Sequence, residues 1–102
     1  LEGTLTMEYI ATITLDHTGD TADADALLDA FLAGHAEASP IVGEDLQAHT
    51  IDVTFAVEAE DGYGAFERAR SLFATATEDT QFARPVIGVA VEAADLHELQ
   101  AA

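Results

Sequence analysis

Between Tyr9 and Leu15 apolar and polar positions alternate, with Tyr9, Ala11, Ile13 and Leu15 on one side and Ile10, Thr12 and Thr14 on the other. A period of two is that of a strand whose successive side chains point to opposite faces. The pattern then changes to a helical one. Ala24, Leu27, Leu28, Phe31 and His35 recur at intervals of three and four, while Asp25 and Asp29 fall off that stripe, so the spacing predicts a helix ending between Gly34 and Ser39, ahead of Pro40. One of Thr21, Asp23 or Asp25 is expected to cap it. A short apolar run, Pro40-Ile-Val42, follows as a brief strand.

The same order then repeats. Ile51, Val53, Phe55 and Val57 alternate with Thr50, Asp52, Thr54, Ala56 and Glu58, which predicts a third strand. Asp61 stands where it can cap a second helix with Ala65, Phe66, Ala69, Leu72, Phe73 and Ala76 on its buried side. Residues Thr77 to Arg84 read as a loop. Pro85-Val-Ile-Gly-Val-Ala-Val91 reads as the last strand, with Ile87, Val89 and Val91 inward and Val86, Gly88 and Ala90 outward. Ala94 to Gln100 has the makings of a final helical turn capped by Asp95. Strand, helix, strand used twice is a β-α-β-β-α-β order, and the expected class is α+β: a ferredoxin-like sandwich with a four-stranded antiparallel sheet and two helices on one face. Residues 7–102 are expected to be a single domain. Leu1 to Thr6, ahead of the sole methionine, read as an N-terminal extension or a cloning remnant.

That fold class hosts many unrelated activities, so function has to be sought in sites. Charge removes several classes. Twenty carboxylates face three arginines (Arg68, Arg70, Arg84) and no lysine, for a formal charge of −17 over 102 residues. Nucleic acid and anionic membranes are therefore excluded as expected partners, because phosphate binding needs Lys or Arg to displace counterions. The acids read first as a solvating coat, such as a salt-rich cytoplasm favours. A sharper alternative is an acidic nucleic-acid mimic that inhibits a DNA- or RNA-binding protein, with Asp25, Asp29, Glu58 and Glu60 as exposed carboxylates facing a basic protein partner.

No cysteine is present, which removes disulfides, thiolate metal sites and cysteine nucleophiles. No apolar run approaches the roughly 20 residues of a membrane span, and a cytoplasmic location is the default expectation. Of the four histidines, His17, His35, His49 and His97, no two have the spacing that aims both rings at one metal. Asp16, His17 and Asp20 have the residue types for a cation, but a turn ahead of a helix needs the same types. Ser39 and Ser71 belong to no nucleophile elbow, and neighbouring acids such as Glu44-Asp45 are unavoidable at this composition. The expectation is thus no catalytic residue, no cofactor and no metal. A small dimeric α/β-barrel enzyme is a further alternative, with His35, Tyr9 and Tyr63 as its only polar candidates.

The sheet face away from the helices carries the strongest functional signal. Its expected residues, Ile10, Thr12, Thr14, Asp52, Thr54, Ala56, Val86 and Ala90, together with Gly88, hold little of the chain's large charge. A solvated face in so acidic a chain should carry more carboxylates. The reading is that a partner covers it, most simply the same face of a second copy, in a homodimeric, non-enzymatic protein-binding or assembly module.

Overall fold

The structure, a computed structural model, describes residues 6–17, 22–83 and 85–94. The described elements are β1 (Met7–Asp16), α1 (Asp23–His35) with a 3-10 turn at Ala36–Ala38, β2 (Ile41–Asp45), β3 (Thr50–Ala59), α2 (Gly62–Thr77) and β4 (Gly88–Ala93). They form an α+β arrangement in which one four-stranded sheet has the order β2-β3-β1-β4. Every neighbouring pair is antiparallel. No described helix is long and apolar enough to cross a membrane.

The alternation seen in the sequence is the alternation of burial. Tyr9, Ala11, Ile13 and Leu15 of β1 and Ile51, Val53, Phe55 and Val57 of β3 are buried. Register places Ala11 opposite Phe55 and Ile13 between Val53 and Val89, so the inward rows of three strands coincide. The helices cover those rows. Leu27 and Phe31 of α1 and Ala65, Ala69 and Phe73 of α2 join the strand residues in one apolar cluster. Phe31 is its hub, with ring centroids 5.0 Å from Phe55, 6.1 Å from Phe73 and 6.5 Å from His35.

The two helices begin differently. Asp61 caps α2 as expected, its Oδ1 accepting the Gly64 N–H at 2.7 Å. In α1 the residue before the helix is Ala22, and no side chain caps it. Asp23 lies inside the first turn instead, is 1% exposed, and accepts a 3.1 Å bond from the Gln81 side chain. Asp25 shares that acidic first turn, which complements the helix dipole, while Thr21 lies outside the described residues.

The segment after α2 is more than a connecting loop. The Thr77 hydroxyl donates back to the Phe73 carbonyl at 2.8 Å, and the Thr80 hydroxyl donates to the Thr77 carbonyl at 2.8 Å while accepting the Phe82 N–H at 3.0 Å. These bonds turn the chain so that Phe82 enters the core at 1% exposure. The sequence pattern offered no periodic partner for Phe82, because a single buried residue in a turn has no period.

β4 begins at Gly88, three residues later than the sequence pattern suggests. The Ile87 N–H donates to the Thr14 carbonyl at 2.9 Å although Thr14 pairs with Gly88, so two residues face one at this point. Such a bulge breaks strict alternation. Val86, expected on the outer sheet face, packs against the core cluster instead, and Ile87, expected inward, is 54% exposed. β2 in turn extends further than expected, to Asp45, whose side chain accepts the N–H groups of Gln47 (3.1 Å) and Ala48 (3.0 Å) and shapes the hairpin turn to β3. The expected terminal turn lies outside the described residues apart from Ala94, which is buried.

Candidate functional site: the open sheet face

Register assembles the outer face from pairs. Thr12 is flanked by Thr54 and Ala90, Ile10 by Ala56 and Glu92, and Thr14 by Asp52 and Gly88. The Thr12 and Thr54 hydroxyls are 3.0 Å apart, so one donates to the other across the central strand pair. Cross-strand threonine hydrogen bonds of this kind contribute to the stability of a sheet. Seven of the eight residues expected on this face stand on it. Val86 is the exception, displaced by the bulge.

The pairing also brings in a residue that the sequence pattern missed. Ile41 is the direct partner of Thr54 and is 68% exposed, which extends the apolar band to the outer edge of the sheet. A five-residue strand is too short for alternation to assign its faces. Only its pairing with β3 does so.

Charge on this face is segregated. Glu8 pairs with Glu58, and Glu92 lies beside Ile10, so one end is acidic. Asp16, Asp45 and Asp52 gather at the other end. Between them the central row, Ala90, Thr12, Thr54 and Ile41, carries no charge, and Ile10 and Ala56 extend its apolar surface beside Glu92. Like charges directly opposite one another destabilise a sheet, so Glu8 and Glu58 are a cost that the fold carries at this edge.

Asp52 is the acid nearest the band. Its carboxylate lies against Gly43 of β2, where a Cβ would meet Asp52 Oδ1 at 3.1 Å. Glycine at position 43 therefore makes room for it. Burial pushes the Asp52 carboxyl above its ordinary value, and a hydrogen bond from the Gly43 backbone partly opposes that rise. The raised value means that the folded state binds this proton more tightly than the unfolded state, so the contribution of Asp52 to stability improves as pH falls through the folded value and is unfavourable above it. Asp52→Asn keeps the acceptor and removes the charge. It is expected to stabilise the fold at neutral pH and to lose that advantage below about pH 4, where both states of the aspartate are protonated. Urea midpoints at pH 7 and pH 3.5 check this; an equal effect at both would mean that charge is not the cause.

The other candidates are dispersed. His17 meets Glu44 of β2, with its ring almost wholly covered. This side-chain pair ties the end of β1 to the edge of the sheet, and Asp20 lies outside the described residues. His35 sits at the end of α1 against Phe31, His49 occupies a positive-φ turn position, and His97 lies outside the described residues. Tyr9 is buried in the sheet whereas Tyr63 is 76% exposed on α2. A concavity beside His35, about 320 Å³, is bordered by Glu8, Glu37, Glu58 and Arg68 and includes neither tyrosine. Among the described residues no three histidines or carboxylates gather in a way that could hold a metal ion. Asp25, Asp29, Glu58 and Glu60 are all exposed.

Comparison with protein-family models, with curated proteins and with solved structures gives no match. Function therefore has to be argued from the geometry of the chain itself.

Proposed function

We propose that this chain is a non-enzymatic protein-binding or assembly module that self-associates through its open sheet face. One observation supports the reading: in a chain of charge −17 the central row of the open face, Ala90, Thr12, Thr54 and Ile41, carries no acid, although the rows on either side hold Glu92 and Asp52. Desolvating a charge without a partner is costly, so a surface meant to be covered sheds its charges first. Alanine and isoleucine can be covered at little cost, and the Thr12–Thr54 bond satisfies one of the two hydroxyl donors there.

We further infer a ferredoxin-like arrangement. Supporting it are the β-α-β-β-α-β order, the adjacency of β1 and β3 at the centre of the sheet, and the position of β4 and β2 at its edges.

Sedimentation velocity at 0.1 M and 1 M NaCl tests the self-association. The expected result is a dimer, tighter at 1 M because the acidic ends of two copies repel less when screened. Thr54→Lys, placed between Thr12 and Ile41, is expected to give a folded monomer. A wild-type chain that stays monomeric at high concentration in both salts overturns the proposal.

A further inference from the structure

A second surface lies on the opposite side of the sheet, where α2 leans over β4. Ile13 forms its floor, Phe66 and Phe73 line its helix side, and Val86, Ile87 and Val89 form its outer wall, giving an open cleft of about 760 Å³. Its volume is within the range of small-molecule sites, and its lining is mainly apolar with few polar groups, as such sites require. At the irregular start of β4 Val86 packs inward and lines the cleft, while Ile87 is exposed at its rim.

Among the described residues, two charged side chains border the cleft, Arg70 and Glu78. Arg70 is notable in so acidic a chain. It makes no ion pair with any carboxylate among the described residues, and its guanidinium lies over the Phe66 ring at 5.7 Å from the centroid. Its neighbours one turn away along α2 are Phe66, Glu67, Phe73 and Ala74, so it stands beside the apolar wall with its hydrogen-bond donors available to a ligand. Glu78 directly follows α2, eight residues beyond Arg70 and about 12 Å further along the helix axis. It repels a second negative charge at that end.

We propose that this cleft binds a small amphiphilic monocarboxylate, with its apolar body on Phe66, Phe73, Val86 and Val89 and its carboxylate on Arg70. A guanidinium recognises a carboxylate through paired N–H donors. Among the described residues one cation stands at one end and one acid at the other, an arrangement suited to a single-headed ligand. The site is independent of self-association, because it opens between α2 and the inward side of the sheet.

Octanoate, 1-octanol and octylamine, each below its aggregation concentration, are the probes, titrated into the ¹⁵N-labelled full chain at 0.15 M NaCl. Octanoate is expected to shift the amides of Arg70, Ala74 and residues 86–89, and to bind more tightly than 1-octanol or octylamine. Arg70→Gln is expected to weaken octanoate about fivefold, as for a partly exposed charge pair, and to leave 1-octanol unchanged. Glu78→Gln is expected to tighten octanoate. Both positions are exposed, and a dispersed amide spectrum verifies that each variant is folded. The proposal fails if 1-octanol or octylamine binds as tightly as octanoate, if octanoate is indifferent to both substitutions, or if its shifts map elsewhere.

Discussion

Replacing Phe31 by alanine is expected to destabilise the fold by about 3 to 5 kcal/mol, the range for truncating a buried aromatic side chain. Phe31 is wholly buried, and it joins three elements of the core by reaching from α1 to Phe55 in the sheet and Phe73 on α2. Its loss opens a cavity that cannot collapse from one side alone and removes two aromatic contacts. Small domains have a total stability of about 5 to 15 kcal/mol, so the variant should be marginally folded. Phe73→Ala should cost less, toward the lower end of the same range. Phe73 also lines the open cleft, so water can occupy part of the space it leaves. Urea denaturation of both single variants and the double variant checks this, and the double variant should cost less than the sum because the two rings touch. Equal losses for the two single variants would place Phe73 deeper in the core than its contacts with the cleft imply.

Raising NaCl from 0.1 M to 1 M is expected to increase the stability of the fold by on the order of a few kcal/mol, because the screening length falls from about 10 Å to about 3 Å and like charges crowd a compact chain more than an unfolded one. The excess of 20 acids over three arginines makes repulsion the dominant long-range term. Acidification provides the control. Protonating carboxylates weakens the repulsion, so the gain from salt should shrink at low pH. Dilute protein keeps dimer formation from contributing through mass action. Denaturation midpoints at the two salts and two pH values measure the effect. An unchanged midpoint at pH 7 would mean that the folded charges are already far enough apart to be screened.

The bond between self-association and charge is testable in the same experiments. If the uncharged band is the covered surface, salt should strengthen the dimer beyond its effect on the monomer, since Glu8, Glu58 and Glu92 lie at one end of that band and Asp16, Asp45 and Asp52 at the other. Separating the two contributions requires Thr54→Lys, in which only the monomer's response remains.

Periodic signals in the chain determined its regular parts. Alternation in β1 and β3 told inside from outside correctly because both strands are ten residues long and run through the centre of the sheet. The stripes of α1 and α2 named Leu27, Phe31, Ala65, Ala69 and Phe73 for the same reason, and the cap at Asp61 was legible because a single carboxylate one turn ahead of a free N–H suffices. The sparing of charge around Thr12 and Thr54 was legible too. It follows from two clean alternations.

Tertiary structure alone decided the rest. Ile41 belongs to the outer face only because β2 pairs with β3 in a given register, and no five-residue pattern contains that pairing. Asp23 has the composition of a cap, yet a distant glutamine, Gln81, makes its burial tolerable. Phe82 enters the core through a sequence of threonine hydrogen bonds rather than a period. At β4 one extra residue opposite Thr14 goes with Val86 turned inward and Ile87 outward, and both line the cleft beside Arg70. Periodicity reports which way a regular backbone turns its side chains; where the backbone departs from regularity, particular hydrogen bonds accompany the change of direction, local ones at Phe82 and a cross-strand one at Ile87.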